Sequence, residues 1–162
     1  MHGYFATGLV SERKAYVLDG HGRNGKSTLC KVVRTLLGDY GLVSKANVVS
    51  ASYAGHDTIF AVLEKKRFVE IPEIDRSLVL GSRFKELTGN DSISARGMRQ
   101  DERAIVLQCK LAICANNNIK FDGTSKSHKE RVETVPFRNE VVAPTPASPT
   151  NFLRRDRRSS PR

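Results

Sequence analysis

Residues 20–28 read Gly-His-Gly-Arg-Asn-Gly-Lys-Ser-Thr, and no other stretch of the chain limits its fold so tightly. The string satisfies G-x-x-x-x-G-K-[ST] and stands where that motif must stand. An apolar run, Ala15-Tyr16-Val17-Leu18, precedes it, and a helical pattern opens at Lys26. Average composition yields such a string by accident in about one chain of this length in two hundred, and the flanking strand and helix make accident rarer still. Glycines at 20, 22 and 25 let the backbone turn its N–H groups inward around a triphosphate, and the start of the following helix adds partial positive charge. Arg23 and Asn24 complete the loop. Lys26 brings a compact full charge to the β and γ phosphates, the Ser27 hydroxyl is placed for Mg²⁺, and Thr28 helps to begin the helix. The expected cofactors are ATP and Mg²⁺.

Around this loop, short β-rich runs alternate with helical patterns, which predicts an α/β domain with a mainly parallel sheet flanked by helices. From Lys26 to Leu37, apolar residues at Leu29, Val32, Val33, Leu36 and Leu37 mark one helical face, and Gly38 stops it. Asn47-Val48-Val49 reads as a weak second strand and Thr58 to Leu63 as a helix. Phe68-Val69-Glu70-Ile71 reads as a third strand closed by Pro72, and Ser82 to Leu87 as a short helix. The segment Ile93 to Val106 reads as a hairpin with a polar tip. Leu111 to Ala115 is a strand running into three asparagines, and Val132 to Phe137 a last strand.

Hydrolysis at such a loop needs carboxylates at the end of a neighbouring strand, one to hold the metal and one to orient or deprotonate water. Glu73 and Asp75, just past the third strand, are the candidates; solvated loop acids are the plainer alternative. Glu70 interrupts an apolar strand, and the sequence leaves open whether it joins the metal site or faces another subunit. Asn116, at the end of the 111–115 strand, places an amide where it can sense a γ phosphate, although asparagines after a strand are commonplace. Arg96, Arg99 and Arg103 cluster about the hairpin tip, where cations can track phosphates without reading sequence; a solvated charged turn is the alternative.

The net charge of +10 favours an anionic partner such as nucleic acid. No apolar run approaches the length of a membrane span and no export signal stands at the amino end, so the chain is expected in the cytoplasm. Three cysteines, Cys30, Cys109 and Cys114, lack the spacing of a zinc knuckle or redox motif and read as reduced core thiols. Residues 138–162 hold four of the six prolines and six arginines against two acids. This divides the chain into a core, residues 1–137, and a disordered basic tail, residues 138–162.

Taken in order, these segments resemble superfamily 3 DNA helicases, in particular the carboxy-terminal motor of phage and plasmid primase-helicases related to those of poxviruses. GHGRNGKST resembles that family's Walker A loop, KRFVEIPEID its Walker B segment, and SRFKELTGNDSISAR the stretch leading to its DNA-contacting hairpin. KLAICANNN is similar to its sensor 1 strand and KERVETVPF to its arginine motif. The resemblance implies a P-loop fold of AAA+ type with a hairpin inserted before the sensor 1 strand. It makes Lys26 and Ser27 the ligands of phosphate and Mg²⁺, Glu73 the main Walker B acid and Asn116 the sensor. Lys85 and Arg96 fall in the segment that leads to DNA. Arg131, by itself an exposed charge, becomes an arginine finger reaching a neighbouring subunit's ATP, which implies a ring, usually a homo-hexamer. The implied partners are single-stranded DNA and a primase domain or protein. Three departures stand out: Glu70 where the family is apolar, one basic residue rather than two before Val132, and a lost continuation after Phe137. With no room for primase domains before the loop, these lead to the expectation of a fragment. A nucleotide- or DNA-binding remnant without turnover is the alternative function, and a small-molecule kinase a weaker third.

Overall fold

The computed structural model describes residues 2–50, 58–74, 79–97, 101–116, 120–121 and 126–140. Its elements follow the chain from helix α1 (His2–Ala6) through strand β1 (Ala15–Asp19), α2 (Lys26–Leu37), β2 (Gly41–Val43), α3 (Thr58–Leu63) and β3 (Phe68–Ile74). They continue with β4 (Val79–Leu80), α4 (Ser82–Thr88), β5 (Ser92–Arg96), β6 (Glu102–Val106) and β7 (Lys110–Ala115). The last are β8 (Lys120–Phe121), α5 (Lys126–Glu130) and β9 (Val132–Pro136). Five strands form one sheet in the order β2-β3-β7-β1-β9, with all its pairings parallel. The expected mainly parallel α/β sheet is therefore present, and β5 and β6 form the antiparallel hairpin that precedes β7. Among the described residues no helix is long and apolar enough to cross a membrane.

The period of two along the central strands sorts their side chains to two cores. Tyr16 and Leu18, Ala112 and Cys114, and Phe68 face α1 and α2, where Phe5, Cys30 and Val33 meet them. Ala15, Val17, Val69, Ile71, Leu111 and Ile113 face the other way, onto Phe60, Leu63, Phe84 and Leu87. A sheet buried on both faces demands continuous apolar runs rather than alternation, and β7 is buried at every position.

Glu70 belongs by parity to the α2 face. Its carboxylate Oε2 accepts a hydrogen bond from Nε of Arg34 on α2 at 2.6 Å, and its own residue is buried. Within this chain Glu70 ties the middle of β3 to α2, beside Cys30 and Cys114. Removing one partner of a buried pair strands the other. Because Arg34 is partly exposed, Glu70→Ala should cost less than a fully buried pair, about 1–3 kcal/mol in urea unfolding. The double variant Arg34→Met/Glu70→Leu should recover most of that loss. Equal destabilisation by both variants would mean that the pair does not hold α2 to the sheet.

Several local expectations are corrected. Asn47-Val48-Val49 is no strand; Ala46–Val49 is a 3₁₀ turn, and the edge strand is β2. Residues 48–50 are all buried, and the turn is wedged between α4 and β3. Pro72 does not close β3. Lacking an N–H, it breaks the ladder between Ile71 and Ile74, and pairing resumes with Ile74 opposite Ala115. On α2, the buried stripe is Lys26, Cys30 and Val33, so Leu36 is 80% exposed instead of facing the core. The amino-terminal helix, not foreseen, docks through Phe5, whose ring meets Tyr16 and Phe68 edge-on at 5.1 Å each. Beside it, the buried Lys110 ammonium lies 4.4 Å from the Tyr4 ring centroid and donates to Thr7, and burial pushes its pKa down to about 8.

Candidate nucleotide site

The glycine loop leaves the carboxyl end of β1, between the ends of β7 and β9, where open parallel sheets place their ligand crevices. Gly20 donates its N–H to the Ala115 carbonyl at 3.2 Å. A Cβ at residue 20 would stand 2.2 Å from the Phe137 carbonyl oxygen and 2.3 Å from Asn24 Nδ2, so this position admits only glycine. Further round, Arg23 (φ 57°) and Gly25 (φ 88°) are left-handed. Such residues within a turn direct backbone N–H groups into a concavity that suits an anion, and a non-glycine held there is strain of the kind that collects at binding sites.

Helix α2 begins at once, with no side-chain cap and no acidic residue in its first turn. Its leading N–H groups and its dipole are therefore turned toward the loop without internal competition. Lys26, at the first helical position, is 7% exposed. Its ammonium donates to the carbonyl oxygens of Gly20 and His21, the latter at 3.1 Å, and to Asn24 Oδ1 at 3.1 Å. The loop is thus wound around a cation. Ser27 and Thr28 are exposed on the first turn. A cleft of about 580 Å³ opens beside the loop, lined by Asp19, His21, Asn24, Phe137, Arg138 and Glu140 among others.

Strand register carries the other candidates to the same sheet edge. Asp19 pairs with Ala115, and Ala115 with Ile74, so the ends of β1, β7 and β3 lie level. Gly20 and Asn116 each follow that line by one residue, and Glu73 precedes it by one. Two strand spacings, about 10 Å, separate β1 from β3. Asn116 is half-buried. The backbone of Glu73 lies within β3; Asp75 falls outside the described residues.

Arg131 is placed differently. It immediately precedes β9, so it stands at the amino end of the strands, about 16 Å from the loop edge at 3.3 Å per residue. It is half-buried rather than an exposed charge. Its guanidinium donates to the Lys85 carbonyl at 2.8 Å and to Thr88 Oγ1 at 3.2 Å, closing the carboxyl end of α4. The structure does not bring it to the loop of its own chain.

The hairpin cations are divided. Ala95 pairs with Arg103 and Arg96 with Glu102, so Arg103 shares the face of the buried Ala95 and Ile105, whereas Arg96 stands on the exposed face. Arg103 forms an ion pair with Glu64, the residue that follows α3, its Nη1 2.8 Å from Oε1. Arg99 lies outside the described residues, and Lys85 is partly exposed on α4. Sequence reasoning missed Phe137, whose contribution is a backbone carbonyl and so has no signature in residue type.

Residues 18–131, from β1 to the last residue before β9, match DUF5906, a family of unknown function. The chain belongs to DUF5906. No curated protein matches its sequence. Among solved structures, the NrS-1 C-terminal region resembles this DUF5906 chain with a TM-score of 0.65 at 16% identity, over 94% of this chain and 37% of that one. Another structure of the same region gives a TM-score of 0.67 at 17% identity, covering 94% and 38%. JCV helicase gives a TM-score of 0.55 at 16% identity, covering 90% and 42%. At such identities the likeness is one of fold. The chain spans less than half the length of each of these structures.

Proposed function

We propose that this chain is the ATP-hydrolysing core of a DNA helicase motor, of AAA+ type, that moves along single-stranded DNA in phage, plasmid or prophage replication. The observation that carries the reading is the Lys26 ammonium held in a ring of loop oxygens at the uncapped start of α2, level with the strand ends that bear Glu73 and Asn116. The fold shared with JCV helicase supports it.

In this reading the loop N–H groups and Lys26 hold the β and γ phosphates, and the adjoining cleft takes the nucleoside. Ser27, Glu73 and Asp75 are the oxygen donors that suit Mg²⁺, a hard cation, which supplies charge neutralisation on the phosphates. Glu73 orients and deprotonates the attacking water, and Asn116 hydrogen-bonds the γ phosphate. Arg131, remote from its own loop, serves a neighbouring subunit's ATP in a homo-hexameric ring, after release from α4. Lys85, Arg96, Arg99 and Arg103 are the cations assigned to DNA contact, although Arg103 must first leave Glu64. The same setting implies a primase partner, a cytoplasmic location and residues 138–162 as a basic extension.

A second reading, a remnant that binds nucleotide or DNA without turnover, is favoured by the engagement of Arg131 with α4 and of Arg103 with Glu64. Phosphate release with Mg²⁺-ATP separates the two. The motor should be stimulated by single-stranded DNA several-fold, with stimulation fading steeply between about 50 and 200 mM salt. Turnover indifferent to DNA would contradict the motor, and saturable nucleotide binding without turnover would establish the remnant.

A further inference from the structure

One side chain of the loop makes two contacts that belong to different parts of the fold. Asn24 accepts from the Lys26 ammonium through Oδ1 at 3.1 Å, and through Nδ2 it donates to the Phe137 carbonyl at 3.0 Å. Phe137 is the first residue beyond β9, and its N–H donates to the Asp19 carbonyl at 2.6 Å, extending the β1–β9 ladder by one step. The bare Cα of Gly20 is what allows this strand end to press against the loop. Phe137, Arg138 and Glu140 then line the cleft together with Asn24.

A carboxamide serves both contacts, an acceptor and a donor on separate atoms. An aspartate accepts from Lys26 but repels the Phe137 carbonyl; an aliphatic residue does neither. The arrangement also has a chemical direction. A phosphate oxygen is a charged acceptor, and hydrogen bonds to charged acceptors are about twice as strong as those to a neutral carbonyl. When a polyphosphate enters the loop, Lys26 turns from the loop oxygens to the anion, Oδ1 loses its cation, and Nδ2 gains a better acceptor than the Phe137 carbonyl.

We propose that Asn24 is a positioning residue that couples occupancy of the loop to the backbone beyond β9: it holds Lys26 and Phe137 together while the loop is free of phosphate and lets Phe137 go when phosphate draws Lys26 away. This rests on the nucleotide reading of the loop and adds to it a route by which phosphate binding reaches the segment that begins at Phe137. The coupling acts through backbone hydrogen bonding, so it belongs to Asn24 and not to the side chain of Phe137.

Magnesium tripolyphosphate is the probe, because it has no base or sugar to touch the cleft residues directly. Its binding is read first, by displacement of a fluorescent ATP analogue. Amide hydrogen exchange of the peptide covering residues 132–140 is then followed with and without saturating tripolyphosphate. In the unaltered chain, exchange of the Phe137 N–H, which the Asp19 carbonyl protects, should quicken by about threefold or more as the strand end loses its anchor to Asn24 and opens more readily, the factor expected for losing one hydrogen bond of ordinary strength. In Asn24→Leu, which loses its own amide contact to phosphate, exchange should already be fast and should not respond once the displacement assay shows the loop saturated at a raised tripolyphosphate concentration. Asn24→Gln, which keeps both halves of the amide, should restore part of the response. Binding without any change at residues 137–140, or an equal response in Asn24→Leu, would overturn the coupling and leave the nucleotide site standing. Failure of both the ATP analogue and tripolyphosphate to bind would overturn the two together.

Discussion

Lys26→Ala should lower the rate of Mg²⁺-ATP hydrolysis by about 10²-fold or more, the loss that follows removal of one preorganised charge from a transition state that develops negative charge. The expectation is larger than for an ordinary surface lysine because of what surrounds this one. The residue is 7% exposed, and its ammonium meets the carbonyls of Gly20 and His21 and the amide oxygen of Asn24. Alanine removes the charge and leaves those three oxygens facing inward with no cation between them, a poor receptor for phosphate. Lys26→Arg should fail as well, since a planar guanidinium fits neither the tight ring nor a single phosphate oxygen as a compact ammonium does. Equal rates of phosphate release from the unaltered chain and Lys26→Ala would remove the loop from catalysis.

Glu73→Gln should abolish turnover by a different route. The amide keeps the size of the carboxylate but cannot take a proton from water, and general bases typically contribute about 10²–10⁴-fold. Nucleotide affinity should stay within a few-fold of the unaltered chain, because the loop and Lys26 are untouched. That split, a lost rate with retained binding, distinguishes Glu73 from Lys26, where both fall. The basis is register: β3 ends level with β1 and β7, and Glu73 lies one residue short of that line. A Glu73→Gln protein that turns over at the ordinary rate would return the role of base to another acid, with Asp75 the next to test.

The parts of this fold that could be read from residues are those whose cause is local. Helix α2 begins and ends where the apolar period and the stop at Gly38 place it, α3 spans the expected residues, and the loop depends on Gly20, which no other residue can replace, and on the left-handed Gly25. What could not be read depends on neighbours distant in sequence. Leu36 fits a helical stripe as well as Cys30 does, but only the packing against Cys114 and Phe68 decides that the stripe centres on Cys30 and Val33 and leaves Leu36 outside. Val48 and Val49 announce burial, yet burial in a turn and burial in a strand leave the same mark over two residues. Pro72 reads as a stop because it cannot join a ladder, and the structure instead absorbs it in a register shift. Glu70 was ambiguous because its partner, Arg34, lies 36 positions away on another element. Within the candidate site, residue types disclosed the loop and the strand-end polar groups. The contact of Asn24 with the Phe137 carbonyl was invisible, since any residue at 137 has a carbonyl to offer.

Titration calorimetry of the chain with Mg²⁺-ATP tests the central claim most directly, because it asks whether the loop holds a metal-bound triphosphate before any question of turnover, DNA or assembly arises. The account predicts saturable binding of one nucleotide per chain, weakened at least about tenfold by Lys26→Ala, the equivalent of one charge-assisted contact, and weakened again when Mg²⁺ is removed by chelation. Absence of binding, or an affinity that neither Lys26→Ala nor chelation alters, would contradict it.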